Sequence, residues 1–276
     1  MSKPIEYRVV VASRGRDARD LLVEESGLSA SRISDAMTAG AVWLRNAHGV
    51  RRIRRRSAAI TEGDELFLNY DESVLAQSAA DAELIRDAGR WSAWFKPAGM
   101  RSQGSRWGDH TTLGRFAEHN LVPQRESFIV HRLDLAAKGL MLLAHDKKAA
   151  ASLSKQFAER SVIKRYHAIV HGKFPGGTRH QEYSDDIDGK SALSRAVRLR
   201  FDPEMNYSVL LVTIETGRKH QIRKHLANAG FPIVGDRLHG QSVADRDMCL
   251  CASYLAFSDP DTGTRVKIER PPDDWL

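Results

Sequence analysis

Two short polar clusters interrupt apolar surroundings in this chain, and both hold residue types able to do chemistry. The first is His131-Arg132-Leu133-Asp134, set between Phe128-Ile129-Val130 and Leu140-Met141-Leu142-Leu143. A carboxylate placed between two buried strands must be paired, hydrogen-bonded or protonated. The second is Thr216-Gly217-Arg218-Lys219-His220-Gln221-Ile222-Arg223, at the expected opening of a helix, where Gly217 lets backbone approach closely. One chemistry on offer is a carboxylate steadied by a guanidinium and aimed at a substrate. The other reading is a buried Asp134–Arg223 ion pair with a purely structural role, since such pairs are common. Residue types alone leave both open.

Several signals of other chemistries are missing. The chain has no G-x-x-x-x-G-K-[ST] loop, no G-x-G-x-x-G, no H-E-x-x-H and no G-x-S-x-G. Nucleotide hydrolysis, dinucleotide redox chemistry, zinc proteolysis and α/β-hydrolase chemistry lose weight accordingly. The two cysteines, Cys249 and Cys251, have no second pair with which to build a zinc site and do not make a disulfide framework. They read as buried or half-buried structural residues.

The elements that must position the two clusters can be read from periodicity and turn residues. Phe128–Val130 and Leu140–Ala144 are short buried strands, and Trp91–Phe95 is a strand ended by Pro97 and Gly99. Asp146–Arg160 has helical spacing, Ile163–Val170 and Tyr207–Glu215 alternate as strands, and a helix runs from about Arg218 to Ala229 before Gly230. Nearer the start, Asp17–Ser26 and a second helix capped by Ser29 precede a hairpin of Ala41–Asn46 and a strand through Ile53. Strands and helices do not alternate regularly, so the class is α+β rather than a parallel doubly wound sheet. The expected organisation is a small module over 1–70, a linker over 71–89 rich in Ala, Ser, Asp and Glu, and a larger domain over 90–276.

Charge adds a partner class. The net charge is +7, and residues 8–56 hold eleven arginines against five acidic residues and no lysine, so this stretch carries +6 of it. Arginine binds phosphate in a bidentate way and stacks on bases, which favours nucleic acid over a merely solvated basic face. No apolar run reaches the length of a membrane span, and the start has no signal-peptide pattern, so a reducing cytoplasm is the expected location.

The two clusters also resemble a known family. His131-Arg132-Leu133-Asp134 with Gly139-Leu140 is similar to the signature of RluA-type pseudouridine synthases. So is Gly217-Arg218-Lys219-His220-Gln221-Ile222-Arg223-Lys224-His225-Leu226, continuing to Gly230-Phe231-Pro232-Ile233-Val234-Gly235-Asp236. Between them Lys164-Arg165-Tyr166-His167-Ala168 resembles a third motif, and Lys96-Pro97-Ala98-Gly99 resembles a first. The arginine-rich start looks like a small RNA-binding module of ribosomal small-subunit type. The resemblance implies a mixed, largely antiparallel central sheet flanked by helices, with an RNA-binding cleft.

By the same resemblance Asp134 is the catalytic aspartate, Arg223 its pairing arginine, and Tyr166 the tyrosine lying against the uracil. Arg132 would fill the gap left by a flipped nucleotide, an extrusion that takes a few kcal/mol. His131, Lys96, Lys164, Lys219, His220 and Gln221 would contact RNA beside them, and Arg32, Arg45, Arg51 and Arg52 would do so from the N-terminal module. The implied reaction is isomerisation of uridine to pseudouridine in structured RNA, most readily large-subunit ribosomal RNA, with transfer RNA as the alternative. It needs no cofactor and no metal, and the protein would act as a monomer. One departure is visible: Ala136-Ala137-Lys138 stand where the family commonly has Asp-Thr-Ser. Competing readings are an RNA-binding or ribosome-assembly protein on a decayed catalytic domain, and an aspartate-dependent hydrolase of nucleosides or sugars, which needs a second carboxylate that no motif supplies, Asp236 reading as structural. Sequence spacing does not itself bring Asp134, Tyr166 and Arg223 together.

Overall fold

The computed structural model describes residues 3–13, 15–177, 179–240 and 246–272. Their contacts fall into two compact units, one of residues 1–80 with 103–116, the other of 81–102 with 117–276. Arg14, one of the eleven clustered arginines, lies outside the described residues.

In the first unit the chain forms β1 (Ile5–Val10), α1 (Ala18–Ser26), α2 (Ala30–Thr38), β2 (Val42–Asn46), β3 (Gly49–Arg52), β4 (Glu65–Tyr70) and α3 (Glu72–Leu75). The strands pair antiparallel in the order β1-β4-β2-β3. Asp17 and Ser29 cap the two longer helices through their side chains, satisfying amides that have no partner within the helix. Leu22, Ile33, Met37, Leu44, Leu66 and Leu68 close the core. Segment 103–116, drawn from the middle of the sequence, also packs here. Trp43 Nε1 donates to the Arg106 carbonyl at 3.0 Å. Arg52 spreads its guanidinium over the Trp43 ring, donates to the Gly40 and Ser105 carbonyls and meets Asp109 at 3.1 Å.

The second unit holds β5 (Glu83–Asp87), β6 (Trp91–Lys96), the end of α4 (Leu113–Asn120), β7 (Phe128–Ile129), β8 (Lys138–Ala144), α5 (Lys147–Ala158) and β9 (Ile163–His171). It continues with β10 (Gln181–Tyr183), β11 (Ser194–Asp202), β12 (Tyr207–Ile214), α6 (Gln221–Asn228), β13 (Leu250–Ser258) and β14 (Arg265–Glu269). One ten-stranded sheet runs β10-β11-β12-β9-β13-β8-β6-β5, with β14 added on β13 and β7 on β8. Its recorded pairings are antiparallel except β8 with β13. The α+β class is therefore as expected. The segment 71–89, read as a linker, carries α3 and β5.

The register explains how distant motifs meet. Lys96 on β6 faces Gly139 on β8, Gly139 faces Ala252 on β13, and Ala252 faces Tyr166 on β9. Three motifs thus stand abreast on one line across the sheet. At Gly139 (φ +124°) a Cβ would overlap the Ala252 backbone nitrogen and carbonyl, so only glycine permits the β8–β13 approach. Both cysteines are buried and neither is in a disulfide, in line with a structural role. Among the described residues no helix is long and apolar enough to cross a membrane.

Candidate active site

Asp134 sits in the loop leading into β8, and Arg223 on the first turn of α6 reaches it: Nη1 donates to Asp134 Oδ2 at 3.2 Å. The guanidinium is almost fully buried, while the Asp134 side chain keeps 20% of its surface exposed. Arg223 is itself held from behind. Its Nε and Nη2 donate to Asp236 at 2.8 and 2.7 Å, a two-point contact with a carboxylate that is 1% exposed. Burial alone would lower the Arg223 pKa, but the hydrogen bonds and charge of Asp236, then of Asp134, outweigh it and raise the value. For Asp236, burial pushes the carboxyl up, and Arg223 with the Leu238 and His239 amides more than reverses this.

Tyr166 enters from β9. Alternation along that strand puts Lys164, Tyr166 and Ala168 on the buried face and Ile163 and Arg165 outside. Burial, reinforced by the charge of Asp134, raises the phenol pKa, so the ring is presented as a neutral aromatic. Together Asp134, Tyr166, Arg223, Arg132, Gly217 and His220 line a pocket of about 250 Å³. Arg132 is exposed at its rim.

His220 is held in the left-handed region (φ 55°) at the start of α6. Its Nδ1 lies 2.9 Å from His239 Nε2 and its Nε2 lies 3.9 Å from Asp134 Oδ1. Burial lowers the His220 pKa first; Asp134 opposes this, while Arg223, His239 and Lys219 add to it. In the contact between the two imidazoles one ring nitrogen donates and the other accepts.

Three expected RNA contacts are placed otherwise. Lys96 is fully buried, and its ammonium donates to the Pro97 and Met100 carbonyls, both at 2.9 Å. Burial depresses its pKa to about 8 despite Asp134 nearby. It pins the turn behind the pocket and offers nothing to RNA. Gln221, 3% exposed, accepts from Thr216 Oγ1 and the Arg218 amide and donates to Leu193 and Ser194. It splices the β12–α6 loop to β11. His131 stacks on Phe157 at 4.3 Å, and its Nε2 accepts the Leu142 amide at 2.9 Å. Burial, with some help from Lys164, pushes its pKa down to about 3. Lys219 is exposed at the pocket, and Lys164 lines a neighbouring cleft.

The N-terminal arginines divide. Arg52 is spent on the clamp that holds segment 103–116, so it is not available to phosphate as expected. Arg32 and Arg45 are exposed but ion-paired with Glu72 and Glu65 at 3.1 Å each. Arg51 is exposed. Sequence reading missed His239, whose only sequence signal is its place three residues after Asp236, and took Asp236 as structural without linking it to Arg223.

Residues 90–228 match the family description "RNA pseudouridylate synthase". A ribosomal large subunit pseudouridine synthase D of Pseudomonas aeruginosa is 38% identical over 253 residues, covering 79% of this chain and 78% of that protein. An uncharacterized RNA pseudouridine synthase of Bacillus subtilis is 34% identical over 158 residues, covering 52% of this chain. There the match spans about half of the relative's length, 51%. Among solved structures, human RNA pseudouridylate synthase domain containing 1 superposes with a TM-score of 0.58 at 24% identity. That likeness covers 71% of this chain and 85% of the human one, and concerns the fold. With the family's motifs drawn abreast by the sheet and the match covering the strands that carry them, the chain belongs to the RNA pseudouridylate synthase family.

Proposed function

We propose that the protein isomerises particular uridines of structured RNA to pseudouridine, with Asp134 acting on the target nucleotide. The observation that carries this reading is one pocket holding a partly exposed carboxylate, a buried guanidinium bonded to it and a neutral tyrosine ring. In the reaction the bond from C1′ to N1 breaks and a bond from C1′ to C5 forms. N1 gains a proton and C5 loses one, so composition is unchanged. Arg223 holds the Asp134 carboxylate in one rotamer, and Tyr166 gives the detached uracil a flat face on which to turn. Arg132, exposed at the rim, takes the place of the extruded nucleotide. His220 and Lys219 contact the RNA around the pocket, and Arg32, Arg45 and Arg51 do so from the N-terminal unit. Large-subunit ribosomal RNA is the preferred substrate, supported by the name of the Pseudomonas relative, and the enzyme would act as a cytoplasmic monomer.

The test is tritium release from C5-labelled uridine in unmodified ribosomal and transfer RNA, comparing the wild type with Asp134→Ala. Release by the wild type alone is expected. No release from either protein with any RNA would leave the binding-only reading standing instead.

A further inference from the structure

Beside the Asp134 pocket lies a second cleft of about 450 Å³, which shares Arg132, Tyr166, Gly217 and Arg218 with it. Lys164 lines the cleft two residues before Tyr166, on the same buried face of β9. It is only 9% exposed, and among the described residues its ammonium has neither an anion nor a hydrogen-bond acceptor. A Cβ on Gly217 would lie 3.9 Å from its Nζ, which places the ammonium at the wall between the two cavities. The carboxylate that lines the cleft, Glu215, is already ion-paired with Arg195. His131, also in the lining, is held as a neutral acceptor and adds no charge.

Three further cations line the same cleft. Arg132 is exposed, and Arg218 anchors its Nε on the Ser191 carbonyl at 3.0 Å. Arg160 follows the end of α5 in the left-handed region (φ 59°), where glycine is usual and any other side chain costs about 1 kcal/mol. It is exposed, and no carboxylate partners it among the described residues. The Lys164 stem is buried but its ammonium opens on the cleft, where a partly desolvated charge gains from an anionic ligand. A cleft lined by four cations, with its own carboxylate engaged elsewhere, supplies the converse: a place for an anion.

We infer that this cleft binds an RNA backbone phosphate adjacent to the nucleotide whose base enters the Asp134 pocket, with Lys164 and Arg160 as its principal ligands. The inference rests on the RNA-modifying reading above, because the shared wall makes the two cavities neighbouring subsites of one strand. Lysine serves here as a compact point charge, and the arginines bracket the phosphate oxygens.

The experiment measures binding of protein-free, unmodified ribosomal RNA and bulk transfer RNA as a function of salt, with tritium release measured alongside. The variants are Lys164→Met, Arg160→Met and Lys155→Met, the last an exposed lysine of α5 outside the cleft lining. Loss of one phosphate contact lowers the slope of log K against log salt by about one. Lys164→Met and Arg160→Met are each expected to lose that much slope and to raise KM about tenfold, while Lys155→Met matches the wild type. Arg160 is exposed, so its variant keeps the test decisive even where Lys164→Met folds poorly. Unchanged slopes in Lys164→Met and Arg160→Met, or a loss confined to kcat, would overturn the inference. So would stabilisation of the wild type, but not of Lys164→Met, by inorganic phosphate together with unchanged RNA slopes, since the cleft would then be a free-anion site. Absence of tritium release from the wild type would remove the proposed function instead, and the slopes would still report on the subsite.

Discussion

Arg223 gives its two-point contact to Asp236 and only a single nitrogen to Asp134. The division separates what holds the site from what works in it. Asp236 is 1% exposed and fully engaged, whereas Asp134 keeps an open side toward the pocket. Removing Asp236 takes away the two-point contact of the buried guanidinium and leaves it only Asp134, a loss of up to about 3–5 kcal/mol. Asp236→Ala should therefore lower the unfolding free energy in urea by that order. Asp134→Ala, which leaves the Arg223–Asp236 pair intact, should lower it by less than about 1.5 kcal/mol while abolishing tritium release. Equal losses of stability in the two variants would contradict the division.

Gly139 and Gly99 both have left-handed φ values, +124° and +81°, but differ in their surroundings. At Gly99 a Cβ would meet nothing within 4 Å, while at Gly139 it would overlap the Ala252 backbone across the β8–β13 pair. Gly99→Ala is expected to cost about 1 kcal/mol, the conformational term alone. Gly139→Ala should cost at least about 3 kcal/mol or prevent folding, because two backbones would have to separate. Urea denaturation of both variants checks the pair, and similar values would refute the close-approach argument.

His131 links the pocket wall to stability through pH. Its folded pKa, depressed to about 3, lies below the unfolded value near 6.5, so the unfolded chain binds the proton more readily between those limits. Stability from this residue is complete above about pH 6.5 and is lost as pH falls toward 3. The loss is at most about 1.4 kcal/mol per unit. Other histidines share the direction, so the wild type alone does not isolate the effect. His131→Leu removes one titrating group and leaves the Leu142 amide without its acceptor. The variant should be less stable at pH 7, by about 1–3 kcal/mol, yet show a shallower decline between pH 6.5 and 5. A slope equal to that of the wild type would mean His131 charges freely in the folded protein.

The contrast between legible and illegible features has a physical origin. Strands β6, β8, β9 and β12 and helices α1, α2, α5 and α6 were readable because hydrophobic period and turn residues are local. The meeting of Asp134 with Arg223, 89 positions apart, was available only by resemblance, because sheet register sets it. Strand β13 was not delimited from the sequence, though it inserts between β8 and β9 and aligns Gly139 with Tyr166. Its partners are far away in sequence, and its buried run carries no alternation to reveal it. Lys96 and Gln221 misled because a polar type does not reveal whether its partner is a ligand or a nearby carbonyl. Segment 103–116 misled for the same non-local reason: its packing partners are Trp43, Arg52 and Arg54, some fifty to sixty positions earlier.

That last packing also decides how the arginine-rich start should be probed. Deleting residues 1–70 would strip segment 103–116 of the surface it packs on, so loss of RNA binding would not report on arginines alone. Point substitutions separate the roles. Arg51 and Arg55 are exposed, and among the described residues neither has a carboxylate partner. Arg52 is clamped between Trp43 and Asp109, with 15% of its side chain exposed. Arg51→Gln with Arg55→Gln should leave thermal stability unchanged and lower the salt slope of RNA binding by up to about two. Arg52→Ala should destabilise the protein by about 2–4 kcal/mol, since it removes an ion pair, two carbonyl contacts and a ring contact together. Stable Arg52→Ala protein with a reduced salt slope would show instead that this arginine faces phosphate.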